Sequence, residues 1–93
     1  MEWKLFADLA EVGGDRRITV DADVDAGATV GDALDALLAD RPALRDRVLT
    51  DDGDVREHIN VLRNGQNVAH EDGLDTDLDA GDELAMFPPV SGG

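Results

Sequence analysis

The stretch "TVGDALDALLADRP" (29–42) limits the possible folds more than any other, because only there does the chain keep a helical period for three turns. Val30, Leu34, Leu37 and Leu38 fall at i, i+4, i+7 and i+8, a stripe down one side of a helix, while Asp32, Asp35 and Asp40 lie mostly elsewhere on the wheel. Thr29 stands where a helix start is capped. Asp32, three residues on, takes the place that Glu or Gln holds in a capping box, a weaker form of that signal. Pro42 ends the helix or begins a short turn through "PALRDRV".

The remaining apolar segments read as strands. "EWKLFA" (2–7) is aromatic and aliphatic, Gly13-Gly14-Asp15 supply turn chemistry, and "RRITVDAD" (16–23) alternates Ile18 and Val20 with polar residues, which together predict a β-hairpin. "TDDGD" (50–54) has the composition of a surface loop. In "HINVLRNGQNV" (58–68), Asn64-Gly65 fits the two positive-φ positions of a type I′ turn and predicts a second hairpin. "ELAMF" (83–87) is a last strand, stopped by Pro88-Pro89, neither of which can donate to a ladder. Five strands and one main helix predict an α+β fold of two layers, a mixed sheet with the helix packed on one face. The other face is left free as a docking surface.

Charge narrows the function. The chain carries 22 acids, 17 of them Asp, against seven Arg and one Lys, a net charge of −14. Such a field repels a phosphate backbone, so no nucleic-acid partner is expected. A mesophile protein with an acidic docking face would explain the charge. The better explanation is a salt-loaded cytoplasm, because at ~1 M salt the Debye length falls to ~3 Å and self-repulsion is screened. No apolar stretch approaches a membrane span, and the first ten residues lack the pattern of a secretory leader, so a cytoplasmic chain is expected.

Catalytic constellations do not assemble. There is no cysteine, so no disulfide, thiolate metal site or thiol nucleophile exists within the chain. "DADVDAG" (21–27) and "DTDLDAG" (75–81) open like calcium loops, but Ala26 and Ala80 occupy the sixth position, which needs Gly, and Asp32 and Met86 the twelfth, which needs a bidentate Glu. They read as acidic turns. His58 and His70 lack the spacing of a metal pair, and Ser91, the one serine, lies near the chain end where preorganisation is least available. No metal site and no catalytic residue are expected, and the chain is read as a non-enzyme.

The last six residues have another use. Pro88-Pro89 make a stiff base, Val90-Ser91 are slender, and Gly92-Gly93 are bare backbone able to thread a channel too narrow for any Cβ. This divides the chain into a domain, 1–87, and a flexible diglycine tail, 88–93. The tail presents the Gly93 carboxylate, a poor electrophile until another enzyme gives it a leaving group such as AMP.

"GDELAMFPPVSGG" (81–93), "KLFADLAE" (4–11), "TVGDALDALLADRP" (29–42) and "INVLRNG" (59–65) together resemble the small archaeal modifier proteins. These belong with the molybdopterin-synthase small subunit and the thiamine-pathway sulfur carrier in the ubiquitin-like β-grasp superfamily. The resemblance implies a β-grasp fold and a C-terminus, Gly93 preceded by Gly92, that an E1-like enzyme adenylates with ATP and magnesium. Sulfur attack on that adenylate would give a thiocarboxylate, a sulfur donor for molybdopterin synthesis. Attack by a lysine of a target protein would give an isopeptide bond. The implied partners are the E1-like enzyme, the molybdopterin-synthase large subunit, whose small subunit this chain would be, and target lysines. No cofactor is implied on the chain itself. Met86 departs from the molybdopterin subunits, which often carry a second aromatic there.

Strand alternation places Leu62 opposite Ile59 and Val61, and Phe87 opposite Leu84 and Met86. Leu62 and Phe87 then either share an apolar patch on the helix-free face or fill gaps in the core. Lys4 is the only side-chain amine, hence the possible acceptor for self-linkage. The alternative function is a non-catalytic binding or assembly subunit that uses its sheet face, with an incidental tail; a small acid–base enzyme is the third class. The charge yields the first prediction: the thermal midpoint should rise as potassium chloride is taken from dilute to molar, and a flat response in calorimetry would contradict the screening account.

Overall fold

Trp3 joins the two layers of the protein. In the computed structural model, which describes residues 1–88, the Trp3 indole N–H donates to the Ala33 carbonyl at 3.1 Å, in a fully buried setting. Trp3 lies on β1 (Glu2–Leu5) and Ala33 on α2 (Val30–Asp40). α2 starts where the sequence places it, and both halves of the cap form: Asp32 N–H donates to Thr29 Oγ1 at 3.3 Å and Thr29 N–H to Asp32 Oδ2 at 2.9 Å. The shorter Asp side chain thus closes the box as Glu would.

The sheet runs in the order β2-β1-β5-β3-β4, with β2 at Arg17–Thr19, β3 at Asn60–Arg63, β4 at Gln66–Asn67 and β5 at Glu83–Phe87. β5 is central, parallel to β1 and antiparallel to β3, while β1–β2 and β3–β4 are antiparallel. The mixed sheet with one main helix is the β-grasp arrangement expected. Val30, Ala33, Leu34, Leu37 and Leu38 of α2 meet Trp3, Leu5, Ile18, Val61, Leu84 and Met86 from the sheet in one core. Pro42 starts a tight turn (Pro42–Leu44) that runs into a four-residue helix, α3 (Arg45–Val48), whose Val48 joins that core together with Leu44.

The first hairpin is not a plain one. A six-residue helix, α1 (Asp8–Gly13), stands between β1 and β2, and the strands are shorter than the expected 2–7 and 16–23. Leu9 and Gly13 are buried on it, so the segment closes one end of the core. Gly14 caps the helix in the left-handed conformation, at φ 89°, with its N–H on the Ala10 carbonyl at 2.9 Å, instead of turning a hairpin. The signal was present in Leu9, Val12 and Gly13 at helical spacing, but one and a half turns are too few to stand out from strand content.

The second hairpin forms at Asn64-Gly65, with φ of 52° and 83°. A polar clamp fixes it to the start of β5. Arg63 Nε donates to Asp82 Oδ2 at 2.8 Å, Asn64 Nδ2 to Asp82 Oδ1 at 2.8 Å, and Asp79 N–H to Asp82 Oδ2 at 2.7 Å. Burial pushes the Asp82 carboxyl up, but bonds from the Asp79 N–H, Asn64 and Arg63 outweigh it and hold the group below the usual carboxylate range. A carboxyl lowered in the folded state stabilises fully above its unfolded value, ~4, and that contribution is lost as pH falls through the lower folded value. Asp82→Asn should therefore cost about 2 kcal/mol near neutral pH. Urea unfolding of both proteins across pH should show the difference shrinking below pH ~4; a constant difference would refute the clamp's charge dependence.

Candidate functional site

Strand pairing lays out the face of the sheet opposite α2 in rows. Arg17 pairs with Lys4, Lys4 with Ala85, and Ala85 with Leu62, giving one row across four strands. Thr19, Glu2 and Glu83 form the row on one side of it, and Asn60 and Phe87 lie on the other, toward the end of β5. Phe6 follows β1 at the same level: its N–H donates to the Met86 carbonyl at 3.3 Å, and its ring meets that of Phe87 edge-on, with centroids 6.3 Å apart and planes at 82°. Phe6 is 49% exposed.

Leu62 and Phe87 are half-buried, and neither belongs to the core nor to the apolar residues packed against it. The choice left open by the sequence falls to the face. Phe6, Phe87, Ala85 and Leu62 form its apolar part, with Lys4 and Arg17 toward the β2 edge. Lys4 Nζ lies 3.6 Å from Glu83 Oε2, at 31% exposure, so the ammonium is held to this same surface. Phe6 was missed in the sequence although the alternation in "EWKLFA" puts it in phase with Glu2 and Lys4, on the polar side of β1. An aromatic in the polar phase was the available signal. Met86, the departure from the molybdopterin subunits, is buried in the core facing α2.

Pro88 lies at the exit of β5, lining a crevice of about 450 Å³ with Ala7, Asp8, Arg47 and His58. Ala7 reverses the chain there at φ 54°, a left-handed value that strains a residue with a Cβ. Arg47 pairs with Asp8 at 3.1 Å. The expectations on Pro89, Val90, Ser91, Gly92 and Gly93 lie outside the described residues. Both histidines are exposed. Of the two acidic turns, the first is a capped turn, Asp23 Oδ1 accepting from Ala26 N–H at 3.2 Å. Among the described residues no three His, Asp or Glu side chains gather as a metal site, and no helix is long and apolar enough to cross a membrane.

The profile of the ThiS family matches residues 3–93. The chain belongs to the ThiS family. It is 64% identical over 93 residues to small archaeal modifier protein 1 of Haloferax volcanii, with each chain covered in full. The crystal structure of that Haloferax protein superimposes on this ThiS-family chain with a TM-score of 0.89 at 61% identity, covering 100% of this chain and 98% of that one. A chain from the BexX/CysO complex of Amycolatopsis orientalis matches at 25% identity and a TM-score of 0.81, covering 99% and 98%. A putative sulfur carrier protein of Archaeoglobus fulgidus is 34% identical over 74 residues, covering 78% of this chain and 84% of that one, so this ThiS-family chain stands among small modifier proteins and sulfur carriers.

Its surface and core are separable by truncation. Leu37→Ala should cost about 3 kcal/mol, the usual price of a cavity in a packed core. Leu62→Ala and Phe6→Ala should each cost about 1 kcal/mol or less. Equal losses in urea unfolding would return Leu62 to the core.

Proposed function

We propose that residues 1–87 dock through the Phe6, Phe87, Ala85 and Leu62 face on an E1-like adenylating enzyme, and that residues 88–93 form the tail the enzyme threads. The observation that carries this reading is the pair of exposed Phe6 and half-buried Phe87 at the end of β5, the strand that leads directly into "PPVSGG". Aromatic pairs left half in water on an otherwise acidic chain favour an interface. The same β5 residues that carry the patch fix where the tail departs.

In the reaction, the Gly93 carboxylate attacks the α-phosphorus of ATP, held with magnesium by the partner, and pyrophosphate leaves. Hydrosulfide attacking the resulting acyl adenylate expels AMP and, on losing its proton, leaves a thiocarboxylate; a lysine amine on a target protein expels AMP, loses a proton and leaves an isopeptide bond. The chain contributes no base or nucleophile to either step. Its part is positioning: by residue type alone, prolines at 88 and 89 favour extended backbone, Val90 and Ser91 are slender, and Gly92 and Gly93 admit conformations closed to other residues. As a thiocarboxylate the chain would then serve the molybdopterin-synthase large subunit as its small subunit. Lys4, tied to Glu83 within the docking face, would be a poor acceptor, because linkage there competes with docking.

Replacing Gly92 by Val tests the threading. A β-branched side chain closes glycine-only backbone regions and adds width, while residue 92 lies beyond the last strand of the described residues. The unfolding midpoint should stay unchanged and ATP-dependent adenylate formation with the E1-like enzyme should fall by about a hundredfold or more. Normal adenylation of the variant would favour the alternative, an assembly subunit that works through its sheet face alone.

A further inference from the structure

Where this chain needs a positive φ it uses glycine, with two exceptions among the described residues, Asn64 and Ala7. Asn visits that region readily, whereas Ala does not. The φ of 54° and ψ of −133° at Ala7 are those of the first central position of a type II′ turn, where glycine is usual. The turn closes around it, the Leu9 N–H donating to the Phe6 carbonyl at 3.2 Å. The methyl group gains nothing in return by burial. Ala7 is exposed, and it belongs neither to the core nor to the apolar residues packed against it. Glycine would take the same backbone values without strain, and the relief exceeds what its extra freedom in the unfolded chain costs. Bringing Leu9 into the core, at 1% exposure, requires the turn but not the alanine.

What the methyl does is restrict the backbone beside Phe6. That residue lies just past the end of β1, where its N–H reaches the Met86 carbonyl at 3.3 Å and its ring meets Phe87 edge-on. No core contact holds the ring. Its direction therefore depends on the turn that follows. Buried Leu5 and Leu9 anchor the segment on either side, so an alanine between them is kept at one strained setting, while a glycine there would open further backbone basins to the turn. We infer that Ala7 is a positioning residue: its strained turn presents the Phe6 ring in one orientation to the adenylating partner, and the domain gives up stability for it. The inference rests on the reading of the Phe6 and Phe87 face as the docking surface, and it adds the residue that preorganises that face.

The test compares three forms of the full chain: the parent, Ala7→Gly, and a chain made by chemical synthesis with D-alanine at position 7. Reversing the signs of φ and ψ at Ala7 gives the extended polyproline-type backbone of an ordinary L residue, so D-alanine is unstrained at this setting yet as restricted as alanine. Thermal unfolding and calorimetric binding to the E1-like adenylating enzyme of the same organism are measured in one buffer. Ala7→Gly should unfold a few degrees higher than the parent and bind about threefold more weakly. The D-alanine chain should also unfold higher, but bind as the parent does. A merely structural role would move the midpoint alone. Parent-like binding by Ala7→Gly, a lowered midpoint for either variant, or a D-alanine chain that binds as weakly as the glycine form would each overturn the inference. A parent that does not bind, or a Phe6→Ala variant that binds as tightly as the parent, would instead overturn the docking reading beneath it, and those two measurements tell the failures apart.

Discussion

Everything in the domain depends on burying one helix stripe against one sheet face. A chain with 22 acidic side chains must keep them clear of that contact. It places Leu34, Leu37, Val30 and Ala33 of α2 over Trp3, Leu84 and Met86 with exposures of 1% or less. The Trp3 indole removes the one polar problem of that contact by donating to Ala33. The acids are kept outside the core, where they cap turns, as Asp23 and Asp32 do, or pair with arginine, as Asp15 and Asp82 do. Concentrated salt lowers the repulsion among those that remain without altering the core.

That arrangement also determines where function sits. β5 is the middle strand, so Leu84 and Met86 anchor it to the core while Ala85 and Phe87 point to the opposite face. A strand held on both sides by hydrogen-bonded neighbours gives the tail a fixed origin. Phe6 reaches the same place from β1 because the parallel register puts it level with Phe87. On the function proposed, rigid support at the base and bare backbone at the tip would be complementary: the base would present one geometry to the partner, and the tip would pass where side chains cannot.

Much of this was legible in the residues themselves. The α2 stripe, the Asn64-Gly65 turn and the "ELAMF" strand each carry a local signal strong enough to survive tertiary context, and all three lie where the sequence puts them. The failures share a cause. α1 is a helix of one and a half turns whose formation depends on burying Leu9 and Gly13, a tertiary reason with little local trace. Phe6 was absorbed into a strand by composition, although its phase set it apart. Alternation puts Leu62 and Phe87 on one face, but their exposure depends on what covers that face, which alternation does not report.

The central claim is that this domain exists to deliver the Gly93 carboxyl to other chemistry. The most direct measurement is the mass of the chain isolated from its own host, intact and after proteolysis. The account predicts a population in which oxygen is exchanged for sulfur at Gly93, together with peptides in which Gly93 is joined to lysines of other proteins. A chain recovered only as the free carboxylate, under conditions where sulfur transfer and protein tagging are active in that host, would contradict it.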